Sequence, residues 1–236
     1  MFVPRIFVGP AGPLPYRLHV PPGPAPPDGL PLLLFLHGAG ERGQDNMAQL
    51  RHGVQRLAEG LALRRLPCAI VAPQCPAGQR WVEVPWEAKV HRQPPVPSMP
   101  LATALLLVDA LTTELGLDVR RCYLVGLSMG GYGVWDAVMR RPDRFAAAVP
   151  ICGGGDVSRA AAIARLPQWI FHGALDEVVP VSRSREMVAA LRAAGGAPRY
   201  SEYPDEGHAC WERACGEPDL LPWLLSQRCG AGPACI

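Results

Sequence analysis

Five short apolar runs punctuate the chain, at residues 30–38, 68–73, 122–128, 146–153 and 168–173. Within each the hydrophobicity is nearly continuous rather than alternating, the pattern of strands covered on both faces. Between them lie stretches with apolar residues about 3.6 apart, at 46–63 and 99–117, which predict helices. A third helix is expected over 130–142, stopped by Pro142, and a fourth after Pro180, ending at Gly195–Gly196. RYSEYP, at 199–204, alternates and predicts a half-exposed strand.

Strands alternating with helices predict an α/β fold with a mainly parallel central sheet and helices on both faces. The first 29 residues are rich in proline, and RIFVG and YRLHV predict an antiparallel edge hairpin joined to the sheet by a Pro-rich connection. The whole of 1–236 is expected to form one domain. Residues 75–100 carry no clear periodicity. A loop of that length in a compact domain is expected to overhang the carboxyl ends of the strands, where open α/β sheets bind ligands.

The segment RCYLVGLSMGGYG, 121–133, changes the picture from fold to chemistry. An apolar strand runs into G-x-S-x-G and leaves as a helix, the context in which that motif forms a sharp turn. Gly126 and Gly130 lack a Cβ where strand and helix come close, and Ser128 is held at the apex. A serine hydroxyl needs a base, and His208 in YPDEGHACW follows the last expected strand. The imidazole in turn needs a carboxylate. Asp176, just past the strand at 168–173, completes the order Ser–Asp–His. Glu177 is its nearest competitor, Asp156 a weaker one, and Asp205 and Glu206 stand too close in sequence to His208 to fold back onto its ring. The developing oxyanion would be held by the backbone N–H groups of Met129 and Ala39, the second from the glycine-rich turn HGAG.

These motifs together resemble a known family. HGAGERGQDN, VAPQCP, GLSMGGYGVWD, PDRFAAAVPICGGGD, HGALDEVVP and EGHACW are similar to the serine α/β-hydrolases over about residues 30–228. The resemblance is to their small carboxylesterase/phospholipase and "predicted peptidase" branch, near dienelactone hydrolases and polyhydroxybutyrate-depolymerase-like esterases. It implies the α/β-hydrolase fold, Ser128, Asp176 and His208 as a catalytic triad, Ala39 and Met129 as oxyanion donors, and no cofactor. The implied partner is a small-molecule ester, with a serine peptidase, amidase or thioesterase as the alternative. Two departures stand out: dienelactone hydrolases proper use a cysteine nucleophile, and related carboxylesterases often carry Gln where this chain has Met129. The gap after the strand at 146–153 is too short for a cap domain, which predicts an open cleft and short acyl groups. Trp81, Trp86 and Trp211 are expected to line it.

Composition adds limits. Apolar residues make up 49% of the 236 and charged ones 19%, a globular balance. A net charge of +2 gives no electrostatic case for nucleic acid or an anionic membrane, and the basic residues are nearly all Arg, with Lys89 the only lysine. Nothing reaches the ~20 apolar residues of a membrane span, and the start lacks the continuous apolar core of a secretory signal, which favours the cytoplasm. Of the eight cysteines, Cys122 and Cys152 fall in expected buried strands; Cys210, Cys215, Cys229 and Cys235 would be free to pair only in an exported protein. No CxxC pair occurs, so no metal site is expected. Homo-oligomerisation stays open.

Overall fold

A computed structural model of the chain describes residues 1–10, 12–85, 88 and 90–230. Among these residues, eight strands form one sheet: β1 (Val3–Gly9), β2 (Gly12–His19), β3 (Leu32–Leu36), β4 (Ala69–Pro73), β5 (Cys122–Leu127), β6 (Ala147–Ile151), β7 (Trp169–Gly173) and β8 (Arg199–Tyr203). Their order across the sheet is β1-β2-β4-β3-β5-β6-β7-β8. The β1–β2 hairpin is antiparallel, β2 runs antiparallel to β4, and β3 to β8 are parallel. Every residue of β3, β4, β5, β6 and β7 is buried, which is why these runs carry no alternation.

Two apolar layers cover the sheet. On one face α2 (Met99–Glu114), α3 (Met129–Arg140) and α4 (Ser182–Ala193) pack through Leu101, Val108, Trp135, Val138 and Met187. On the other, α1 (Val54–Leu63), α5 (Trp211–Cys215) and α6 (Leu220–Ser226) pack through Leu57, Leu61, Cys215 and Leu224. The α2 start is set by Ser98, whose Oγ accepts from the Leu101 N–H at 3.3 Å, with Pro100 inside the first turn. The hydroxyl also donates to the Trp81 carbonyl at 2.7 Å, tying the helix to the long loop.

The expected helix at 46–63 is shorter. Only Val54–Leu63 is α-helical, preceded by a 310 turn at Ala48–Leu50. Gly53 separates the two with φ +70°, a left-handed backbone no helix can contain, and a Cβ there would lie 3.0 Å from the Cys215 sulfur. The apolar spacing ran on because both pieces face the same core.

The described residues of the segment expected as a long loop, 75–100, are tied to groups just past β3 and β6 and to α3. The Cys75 N–H donates to His37 Nε2, the Gln93 N–H to the Asp156 carboxylate, and Arg140 to the carbonyls of Pro94 and Pro95. Among the described residues, no helix is long and apolar enough to cross a membrane.

Candidate active site

The turn between β5 and α3 is built by close backbone approach. A Cβ on Gly126 would stand 2.5 Å from the Gly130 carbonyl oxygen, and one on Gly130 only 1.9 Å from the Leu36 carbonyl oxygen. Real Cβ atoms do not come that close, so both positions need glycine. Ser128 between them has φ +53° and ψ −117°, a conformation a serine adopts only when its surroundings impose it. The strain lifts its Oγ off the end of β5.

His208 comes to that hydroxyl from the loop after β8. Ser128 Oγ lies 2.9 Å from His208 Nε2, and His208 Nδ1 lies 2.7 Å from Asp176 Oδ2. Nδ1 faces a carboxylate and must carry the hydrogen, so Nε2 is the acceptor that faces the serine O–H. The loop is held close because Gly173, at the end of β7, has no side chain: a Cβ there would be 2.2 Å from the Gly207 carbonyl oxygen.

Asp176 is fully enclosed at its carboxylate. Burial alone would raise its pKa. Hydrogen bonds from His172, His208 and the Val179 N–H outweigh that and hold it well below the usual carboxylate range. Its Oδ1 accepts the N–H groups of Val178 and Val179 at 2.9 and 2.8 Å. The other acids considered are engaged elsewhere: Asp156 caps the 310 turn Val157–Ile163, Asp205 and Glu206 pair with Arg213, and Glu177 is exposed.

Ala39 and Met129 are each the first residue of a helical turn, Ala39–Glu41 and α3, so their N–H groups have no intrahelical acceptor. Gly38 brings the first of these turns against the elbow; a Cβ on it would lie 2.9 Å from Leu127 Cδ1 and 3.6 Å from Ser128 Cβ.

The three tryptophans part company. Trp211 is half-buried and stands edge-on to His208, ring centroids 5.5 Å apart, and 5.5 Å from His52. Trp81 instead is wholly buried, its Nε1–H donating to the His37 carbonyl at 3.0 Å and its Cβ against Gly133, so it offers no face to a cleft. Its indole needed a carbonyl, and the end of β3 supplies one. Trp86 lies outside the described residues.

Side chains that no sequence motif marks also gather here. His52 stands between Glu41 and Glu212, 3.8 Å from each, on the side of Trp211. His172, the penultimate residue of β7, lies 3.1 Å from the same Oδ2 that His208 binds. The only signal was its place four residues before Asp176. Cys152, Asp176 and His208 bring ligand-type atoms within 4.8 Å of one another. Two of them already bind each other, and burial, with Cys210 alongside, pushes the Cys152 thiol well up, so it is a protonated packing group rather than a thiolate ligand.

No protein-family profile matches the chain. A putative esterase, NocK, of Nocardia uniformis subsp. tsuyamanensis is 30% identical over 139 residues, 58% of this chain and 37% of that protein. A crystal structure of a thermostable esterase superposes with a TM-score of 0.86 and 39% identity over 96% of this chain and 63% of its own. A ferulic acid esterase shares the fold, with a TM-score of 0.74 at 17% identity over 95% of this chain and 98% of its own. The chain thus spans little more than a third of the first relative and under two thirds of the second. With this strand order and these likenesses, the chain has the α/β-hydrolase fold, and the proteins it resembles are named as esterases.

Proposed function

We propose that the chain is a serine carboxylic-ester hydrolase working through Ser128, His208 and Asp176. The observation that carries this reading is the unbroken run of hydrogen bonds, 2.9 Å from Ser128 Oγ to His208 Nε2 and 2.7 Å from Nδ1 to Asp176. Ser128 attacks the ester carbonyl while His208 Nε2 takes its proton. Asp176 keeps the proton on Nδ1 and stabilises the imidazolium as it forms. The N–H groups of Ala39 and Met129 receive the oxyanion, and the amino end of α3 adds its favourable partial charge. His208 then protonates the leaving alcohol and activates the water that releases the acid.

The esterase names of the relatives agree with this chemistry. The preference proposed is for small or short-acyl esters: the described residues between β6 and β7 form one 310 turn where a cap could stand, and Ser128 is not fully covered. Trp211 supplies an apolar edge next to the base.

The test is covalent labelling by a fluorophosphonate together with turnover of matched butyrate ester, long-chain ester, amide and thioester substrates. Labelling and butyrate turnover, both lost in Ser128→Ala, are the expected results. Labelling that survives in Ser128→Ala overturns the nucleophile. Faster turnover of the amide or thioester than of the ester, or of long over short chains, overturns the substrate class.

A further inference from the structure

We propose that His172 is a positioning residue for His208, acting through the carboxylate that the two histidines share; this rests on the triad reading above. Both rings approach Asp176 Oδ2, His208 by Nδ1 at 2.7 Å and His172 by Nε2 at 3.1 Å. The His172 side chain is entirely buried, and each of its nitrogens is engaged. Nε2 faces two groups that can only accept, Asp176 Oδ2 and the Val179 carbonyl at 2.9 Å, so it carries the hydrogen. Nδ1 is therefore the acceptor and takes the Ser184 hydroxyl at 2.7 Å.

The consequence is geometric first. Oδ1 is fixed by two backbone amides of the Asp176 loop, and Oδ2 is fixed from behind by a ring rooted in β7 and pinned to α4. The carboxylate has no rotation left, so the direction in which it holds the His208 ring is set before any substrate arrives. A misplacement of about 1 Å at such a point costs up to ~10² in rate.

The second consequence is electrostatic. The charge on Oδ2 is shared between two donors, so His208 receives less than the whole pull of the carboxylate. Among the described residues, Cys152 after β6 and Tyr132 on α3 also interact electrostatically with Asp176, and Glu202 on β8 with His172. Glu202 is already committed to Arg185 and Tyr200. With the His172 donor withdrawn, Asp176 would hold the His208 imidazolium more tightly, and the acid limb of the kcat/KM profile would move to higher pH.

The experiment compares wild type with His172→Phe, His172→Gln, Ser184→Ala and Ser128→Ala in short-chain ester hydrolysis, measuring kcat and KM across pH and following thermal unfolding. His172→Phe is expected to lower kcat about tenfold or more, leave KM nearly unchanged and move the acid limb upward. Gln can place an N–H where Nε2 was, so His172→Gln should recover most of kcat and the original limb. Ser184→Ala, which frees Nδ1 but keeps the ring, should fall between. A folded His172→Phe with the wild-type limb and kcat overturns the assignment; if that variant does not fold, a wild-type profile in Ser184→Ala does so. Ser128→Ala that keeps full turnover would sink the triad reading itself, whereas its loss alongside unchanged His172 variants sinks only this proposal.

Discussion

The Cα of Gly130 lies so close beneath the end of β3 that a methyl group on it would fall 1.9 Å from the Leu36 carbonyl oxygen. Helix α3 and strand β3 meet here backbone to backbone, and the meeting forces the turn at Ser128. Gly130→Ala should therefore cost at least about 3 kcal/mol, an overpacking no side chain can relieve. In a chain of this size that lowers the thermal midpoint by roughly 10 °C. Gly40 is the control, since a Cβ there meets nothing within 4 Å; Gly40→Ala should melt near wild type in the same calorimetric scan.

Trp81 is expected to behave as a core residue. Trp81→Ala removes a wholly buried indole and leaves the His37 carbonyl without its donor, a loss of about 3–5 kcal/mol. Urea unfolding checks it: a midpoint within error of wild type, with a changed KM for aryl esters, would return Trp81 to the cleft.

Asp176→Asn would keep the shape of the side chain but present an amide where His208 Nδ1–H now meets a carboxylate. The ring would be stabilised in the wrong tautomer, with Nε2 carrying the hydrogen. kcat should fall by about 10⁴ with little change in melting temperature. A fall of tenfold or less in steady-state kinetics would mean another acid serves the imidazole.

His37 should make the protein sensitive to acid. Burial pushes its pKa down to about 4, partly opposed by the short bond its Nδ1 makes with the Gly38 carbonyl. The neutral ring is needed because Nε2 accepts the Cys75 N–H. Above pH 6.5 the ring is neutral folded or unfolded and adds no pH dependence. As pH falls from 6.5 towards 4 the unfolded chain takes up a proton that the folded one refuses, so stability drops, by about 3 kcal/mol in all. Denaturant midpoints from pH 8 to 4 would trace the fall, and His37→Gln should flatten it. A midpoint independent of pH over that range in wild type would contradict the assignment.

Much of the frame was legible because it depends on neighbours in sequence. Near-continuous apolar runs mark strands covered on both sides, 3.6 spacing marks α2, and Pro180 and Gly195–Gly196 bound α4. Gly126, Ser128 and Gly130 announce the elbow within five residues. Where a local rule met a longer contact, the contact won. The periodicity at 46–63 was interrupted by Gly53, whose backbone answers to Cys215 and Phe35 across the fold. Helices α5 and α6 are five and seven residues long, too short to show a period, and exist because their apolar faces dock on α1 and the sheet.

The amino-acid order alone determined the strand and helix alternation, the elbow and the set of acids and bases on offer, because propensity, period and steric freedom act over a few residues. Only the tertiary structure decided which acid meets His208, which tryptophan stays at the surface, and that a second histidine backs the first. Those outcomes turn on distances between atoms far apart in the chain, where a shift of one or two ångströms separates a hydrogen bond from none, and no local pattern encodes that.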